Sequence, residues 1–159
     1  MTEPSLEQRI LAHTDLLYRI SCALLRNPAD REDAVQTAME VAWRKAGTLR
    51  DPSRMKPWIV RVMVNACYSI LRKKQREVPS GVIEGEAQGI SQDALALRDA
   101  LELLPDKQRL PLILHYYEGF SIKEAARALG VPQGTLLSRM KRGRDKLKEL
   151  LSEEEDDGR

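Results

Sequence analysis

Gly134, Thr135, Leu137, Ser138, Arg139, Lys141, Arg142 and Arg144 fall within about three helical turns of one another. Guanidinium, ammonium and hydroxyl groups at that density suit the phosphate oxygens and base edges of a nucleic acid. Arginine and lysine neutralise phosphates and hydrogen-bond guanine, and serine and threonine reach either kind of acceptor. A glycine opening the run permits a phosphate to approach the backbone closely. Leu136, Met140, Leu147, Leu150 and Leu151 thread the same stretch as one apolar stripe, which puts the basic residues on the other faces of a helix.

A second basic block lies upstream. Between Arg44 and Arg76 ten Lys and Arg residues stand against Asp51 alone, a local charge of +9. Between Arg139 and Lys148 six stand against Asp145, a local charge of +5. The formal net charge of the 159-residue chain is only +2, because Glu77 to Lys107 is acidic and Glu153 to Asp157 is a run of acids. Two basic blocks separated by acids suggest two phosphate-facing surfaces.

Bond-making chemistry has a poorer case. Asp30, Glu32 and Asp33 could be taken for metal ligands of a nucleic-acid enzyme, but acids that open a helix after Asn27-Pro28 more often cap it, and no histidine or further carboxylate joins them. Cys22 and Cys67 share no metal-like spacing with His13 or His115 and read as two small core residues in a reducing compartment. No catalytic residue, metal, cofactor or small-molecule substrate is expected. The charged start MTEPSLEQRI and the lack of a long apolar run point to the cytoplasm.

The elements that would position these residues are all helical. Leu6, Ile10, Leu11, Leu17, Ile20, Leu24 and Leu25 recur near helical spacing up to the turn at Asn27-Pro28. Asp30 is placed to cap the next helix with Asp33 at the capping-box acid, and Ala34, Val35, Ala38, Met39, Ala42 and Trp43 form its buried stripe. Thr48 to Pro57 reads as a polar loop, after which Trp58, Ile59, Val62, Met63, Ala66 and Ile70 resume the helical period. Ala94 to Leu104 and Leu110 to Tyr117 form two short helices, with Pro111 in a first turn or at a small kink. Ser121 with Glu124 is a capping box, Gly130 ends that helix, and Pro132 suits the first turn of the next. Together these make a helix-turn-helix, whose second helix usually enters the major groove.

Glu77 to Asp93 lacks periodicity and is rich in Gly, Ser, Pro and acids, as a linker is. The expected architecture is therefore all-α: two small helical domains joined by a flexible acidic linker, the second a helix-turn-helix domain. The boundaries are residues 1–76, a linker at 77–93, a second domain at 94–151, and a disordered acidic tail at 152–159.

The stretches Asp30–Gln36, Ala42–Arg44, Trp58, Asn65 and Arg72–Arg76 resemble the first domain of the extracytoplasmic-function sigma factors of bacterial RNA polymerase. Leu104–Arg109, Tyr116–Gly119, Ser121, Glu124–Ala126, Gly130–Pro132, Gly134-Thr135 and Ser138-Arg139 resemble their second. The likeness runs from about Leu16 to Leu151 in the family's order. It implies a regulated specificity subunit, under a stress or envelope signal, with core RNA polymerase and promoter DNA as partners. It also implies an anti-sigma factor, often membrane-bound, that sequesters the protein.

The resemblance assigns roles by position. Asp30, Glu32, Asp33 and Gln36 dock on polymerase. Arg50, Arg54, Lys56, Trp58, Arg61, Asn65, Tyr68, Arg72 and Lys73 hold the melted −10 strand, with Asn65 on a base edge and Arg61, Arg72 and Lys73 on phosphates. Trp58 and Tyr68 serve either as stacking platforms or as core. Gly134, Thr135, Leu137, Ser138, Arg139, Lys141 and Arg142 read the −35 element, Leu137 through an apolar contact. Where the family commonly has aspartate four residues after the asparagine, this chain has Ser69. The alternative is a stand-alone helix-turn-helix regulator of duplex DNA, which would leave the Arg44–Arg76 block without a task and would usually need a dimer seam that is not apparent.

Overall fold

The computed structural model describes residues 3–76 and 92–157, with side chains over 3–74 and 96–153. Every regular element among the described residues is helical. The chain divides into two compact units, Met1–Ile83 with Arg127–Gly130, and Glu84–Ala126 with Val131–Arg159.

The first unit is built on α1 (Leu6–Leu11), α2 (Thr14–Leu24), α3 (Pro28–Lys45) and α4 (Met55–Arg76). The leading apolar stripe is split between two helices rather than carried by one. The chain turns at Ala12-His13, and His13 Nδ1 lies 2.8 Å from the Arg9 carbonyl. Leu6 and Leu11 are consequently exposed, while Ile10, Leu16, Leu17, Ile20 and Leu24 are buried with Ile59, Val60 and Met63 of α4.

Helix α3 starts two residues before the expected cap. Asn27 is the N-cap, its side chain accepting from the Ala29 amide (2.8 Å), with Pro28 in the first turn where a missing N–H costs nothing. Asp30 therefore stands inside the helix and caps nothing; its carboxylate forms an ion pair with Lys74 of α4. Arg31 closes the preceding helix, its Nε donating to the Leu25 carbonyl at 2.8 Å.

Three further readings are corrected. Trp43 lies on the exposed side of α3, 48% accessible, because Ala34, Ala38 and Ala42 suffice to pack that helix closely. Cys22 is exposed and only Cys67 is a core residue. Helix α4 begins at Met55 rather than Trp58, after two short 3₁₀ turns (Ala46–Thr48 and Pro52–Arg54) that occupy the expected loop. Buried Met55 and Pro57 seat its first turn.

The second unit contains α5 (Gln92–Leu103), α6 (Asp106–Leu112), all but the last three residues of α7 (Ile122–Leu129), and α8 (Gln133–Asp157). Of the expected linker at 77–93, residues 77–91 fall outside the described residues, and the last two, Gln92 and Asp93, belong to α5. Helix α6 starts at Asp106, so Pro111 is in its interior rather than its first turn, and the chain widens into a π-turn over Ile113–Tyr117. A proline that cannot donate to the preceding turn favours such a local rearrangement. Arg109 ties α6 to α5: its Nη1 donates to the carbonyls of Leu101 (3.4 Å), Glu102 (3.3 Å) and Leu104 (3.3 Å), and its Nη2 pairs with Asp106.

Helices α5 and α6 pack on α8. Leu136 and Met140 are buried there as expected, whereas Leu147, Leu150 and Leu151 are only partly covered. The backbone of α8 stays helical through Asp157, so the acidic run extends this helix instead of leaving it, in keeping with the good helix propensity of glutamate.

Candidate nucleic-acid interface

The helix-turn-helix forms as the residues require. Ser121 Oγ accepts from the Glu124 amide (3.0 Å) and Glu124 Oε1 accepts from the Ser121 amide (3.1 Å), a reciprocal capping box. Gly130 adopts φ +67°, the left-handed conformation that favours glycine, and the Val131 amide donates back to Ala126 O (3.0 Å). Pro132 stands just before α8, its carbonyl accepting from Leu136 N (3.0 Å).

Along α8, Gly134, Leu137, Ser138, Lys141, Arg142 and Arg144 are exposed, and Thr135 and Arg139 are half-buried. Leu137 presents 49% of its surface to solvent in the midst of polar neighbours, an apolar contact point left half uncovered by the described residues. A Cβ added at Gly134 would meet no atom within 4 Å. The protein's own packing therefore gives no reason for glycine at 134, and the open space is left to whatever approaches the start of the helix.

Gly143 is the opposite case and was not singled out in the sequence. A Cβ there would stand 2.9 Å from Leu112 Cδ1 and 3.2 Å from the Gln108 carbonyl. That close approach of α8 to α6 fixes which face of α8 is turned outward.

In the first unit the basic candidates separate into two sets. Trp58, Arg61 and Asn65 of α4 line one side of an open groove of about 440 Å³, together with Ser69. Thr37, Val41 and Lys45 of α3 line the other side, a contribution that the sequence pattern did not suggest. The groove offers an indole and two valines as apolar wall, amide and hydroxyl groups to read a base edge, and two cations for flanking phosphates. Trp58 is half-buried, so its indole serves both the packing and the groove. Tyr68 and Lys56 are half-buried and lie outside the groove, and so do the exposed Arg50, Arg54, Arg72 and Lys73.

Asp51 organises the loop before α4. Its carboxylate accepts from the Ser53 hydroxyl (2.7 Å) and amide (3.0 Å) and lies 3.8 Å from Arg54. The two Ser53 hydrogen bonds, the hydroxyl's first, hold its pKa below the ordinary aspartate value of 3.8, with Arg54 adding to them. Arg72 Nη2 donates to Ser69 Oγ at 3.3 Å.

A second groove runs between α2 and α3, lined by Thr14, Asp15, Tyr18, Arg19, Pro28, Glu32, Val35 and Gln36. Glu32 and Gln36 are thus brought together, with the half-exposed Tyr18 beside them, whereas Asp33 is exposed outside the groove and Asp30 is paired with Lys74. Among the described residues no cluster of three or more His, Cys, Asp or Glu could hold a metal, and no helix is long and apolar enough to cross a membrane.

Comparison with known proteins matches residues 10–77 to sigma-70 region 2 and residues 94–147 to sigma-70 region 4. The ECF RNA polymerase sigma factor SigM of Mycobacterium tuberculosis is 34% identical over 150 residues, covering 91% of this chain and 76% of its own. The chain belongs to the ECF sigma factors. The RNA polymerase sigma-E factor of Streptomyces coelicolor is 31% identical over 150 residues, covering 91% of this chain and 85% of its own. The sigma factor RpoE of Bartonella quintana, solved in complex with the anti-sigma factor NepR, superposes with a TM-score of 0.78 at 33% identity, over 91% of this chain and 95% of that one. The sigma factor is thus all-α with regions 2 and 4 in order, and the region 2 match removes the case for a stand-alone helix-turn-helix regulator.

Proposed function

We propose that this alternative sigma factor works with its two units divided between docking, melting and anchoring. The observation that carries the reading is the position of α3. Its Glu32, Val35 and Gln36 border the groove shared with α2, and its Thr37, Val41 and Lys45 border the groove shared with α4. Core RNA polymerase docks at the first groove. Acidic and amide acceptors with an exposed tyrosine suit a basic, Arg-rich surface, and aromatic anchors dominate such contacts.

The second groove and the α4 face receive the melted −10 strand. One unpaired base lies against Trp58 and Val62 with Asn65 at its edge, while Lys45, Arg61, Arg72 and Lys73 neutralise phosphates and Arg50, Arg54 and Lys56 extend the cationic path. Helix α8 enters the −35 major groove, with Arg139, Lys141 and Arg142 on guanine edges or phosphates, Ser138 and Thr135 on the backbone, and Leu137 against a thymine methyl. The functional domains are residues 1–76 and 94–151, joined by 77–93. The factor acts by binding and strand separation, without bond chemistry of its own.

An anti-sigma factor covering the docking and DNA faces completes the cycle; the similar sigma factor of Bartonella quintana was solved in complex with an anti-sigma factor, which supports such a partner. The sigma factor then resides in the cytoplasm, free or held at the membrane by such a partner. Co-purification with core polymerase tests the docking assignment. Glu32→Lys with Gln36→Ala should abolish it while leaving the helical circular dichroism intact, and retention of polymerase by that variant would refute the α2–α3 groove as the docking site.

A further inference from the structure

Lys74 and Asp30 are held together in an ion pair across the first unit, with the Asp30 side chain 18% exposed and the Lys74 side chain 42%. The two residues belong to elements with different tasks. Asp30 stands in the first turn of α3, two residues before Glu32 on the helix that borders the proposed docking groove, and itself outside that groove's lining. Lys74 follows Arg72 and Lys73 at the end of α4, where phosphates of the separated strand are bound; both of those neighbours are exposed and neither is held by a carboxylate among the described residues.

We propose that Lys74 is a further phosphate contact which Asp30 withholds from DNA in the free protein and releases when polymerase docks. The assignment rests on the docking and strand-binding reading above. An ammonium already paired with a carboxylate presents little net charge to a phosphate, and a strand must compete with a partner built into the same fold. A basic, Arg-rich docking surface offers Asp30 a bidentate partner that a single ammonium does not match. Docking then transfers the carboxylate to polymerase and frees the lysine for DNA. Strand affinity is thereby linked to polymerase binding through one ion pair, and the isolated factor is kept from occupying single strands.

The rival is a purely structural tie between α3 and α4, and the two separate cleanly. Binding of a short oligo(dT) strand to the full-length chain, without polymerase, is followed by fluorescence anisotropy across a salt series. Asp30→Asn should tighten binding about fivefold near 0.1 M salt and steepen the log–log salt dependence by ~0.7, the signature of one more phosphate contact. Lys74→Gln alone, which leaves the Asp30 carboxylate unpaired, should not tighten binding by the free protein, and in the double variant the gain from Asp30→Asn should disappear. Glu32→Gln, which removes an equal charge from an exposed site on the same helix, should not reproduce the gain.

A structural tie predicts a lower melting temperature for both single variants with no change in the salt slope. That result overturns the proposal, as does a gain that survives in the double variant or is matched by Glu32→Gln. Polymerase-dependent transcription by the wild-type chain is measured in parallel. If it is absent, the sigma reading itself has failed; if it is present while Asp30→Asn behaves like wild type in oligo(dT) binding, only the gating has.

Discussion

Gly143 on α8 faces Leu112 on α6 at a distance that leaves no room for a side chain: a Cβ at 143 would lie 2.9 Å from Leu112 Cδ1 and 3.4 Å from Gln108 Cβ. Leu112 is itself buried and cannot swing away freely. Gly143→Val should therefore destabilise the second unit by about 2–3 kcal/mol, the usual cost of overpacking combined with a β-branched residue in a helix. Alanine gains helix propensity of about 1 kcal/mol, which offsets part of its own clash. Thermal denaturation followed by circular dichroism checks both, with valine well below wild type and alanine between them.

Gly134, two and a half turns earlier on the same helix, should behave in the opposite way. Beyond its own stretch of helix, no atom of the described residues would lie within 4 Å of a Cβ placed there. Gly134→Ala should leave the melting temperature unchanged or slightly raised, yet reduce −35-dependent transcription severalfold by obstructing the phosphate that approaches there. Full promoter activity in that variant would remove position 134 from the DNA contact.

Arg109 is predicted to be a structural residue of the LPDKQR segment. Its guanidinium serves three carbonyls at the end of α5 and the Asp106 carboxylate. Arg109→Met should cost about 1–3 kcal/mol, because the partly buried carbonyls of Leu101 and Leu104 and the Asp106 carboxylate lose their donor together. Arg109→Lys should rescue little, since one ammonium cannot span that fork of acceptors. Chemical denaturation curves with unchanged m-values would measure the loss.

These residues also mark where the sequence was legible. The Ser121–Glu124 box, Gly130 and the stripe through Leu136 and Met140 are local signals, and local signals survive folding: the helix-turn-helix appears where the pattern places it. Asp30 was misread because two potential caps stand three residues apart, and only the backbone decides that Asn27 is used. Trp43 was misread because three alanines already filled the packing face, which periodicity alone does not weigh. The α3 wall of the groove shared with α4, the Tyr18 side of the groove shared with α2 and the Gly143 contact all join residues from different helices. Such pairings depend on how helices pack, which no single-helix pattern encodes.

Asp51 supplies a pH-dependent test of the loop before α4. Its folded pKa is depressed, so its contribution to loop order is fully present above the unfolded value near 3.8 and is lost as pH falls through the folded value. Removing the main cause should reverse the shift: in Ser53→Ala the Asp51 carboxyl, followed by ¹³C NMR titration, should titrate at a higher pH than in wild type. An unchanged titration would mean that Ser53 does not hold the carboxylate.

Promoter-specific transcription tests the central claim most directly. The full-length chain is added to core RNA polymerase on fragmented genomic DNA, and transcript start sites are mapped with and without it, for wild type and for Asn65→Ala and Arg142→Ala. The predicted result is a small set of starts that require the chain, share spaced −35 and −10 elements, and fall at least tenfold in either variant while the chain alone binds duplex DNA weakly at physiological salt. Chain-independent transcripts only, or tight and selective duplex binding by the chain without polymerase, would contradict the account.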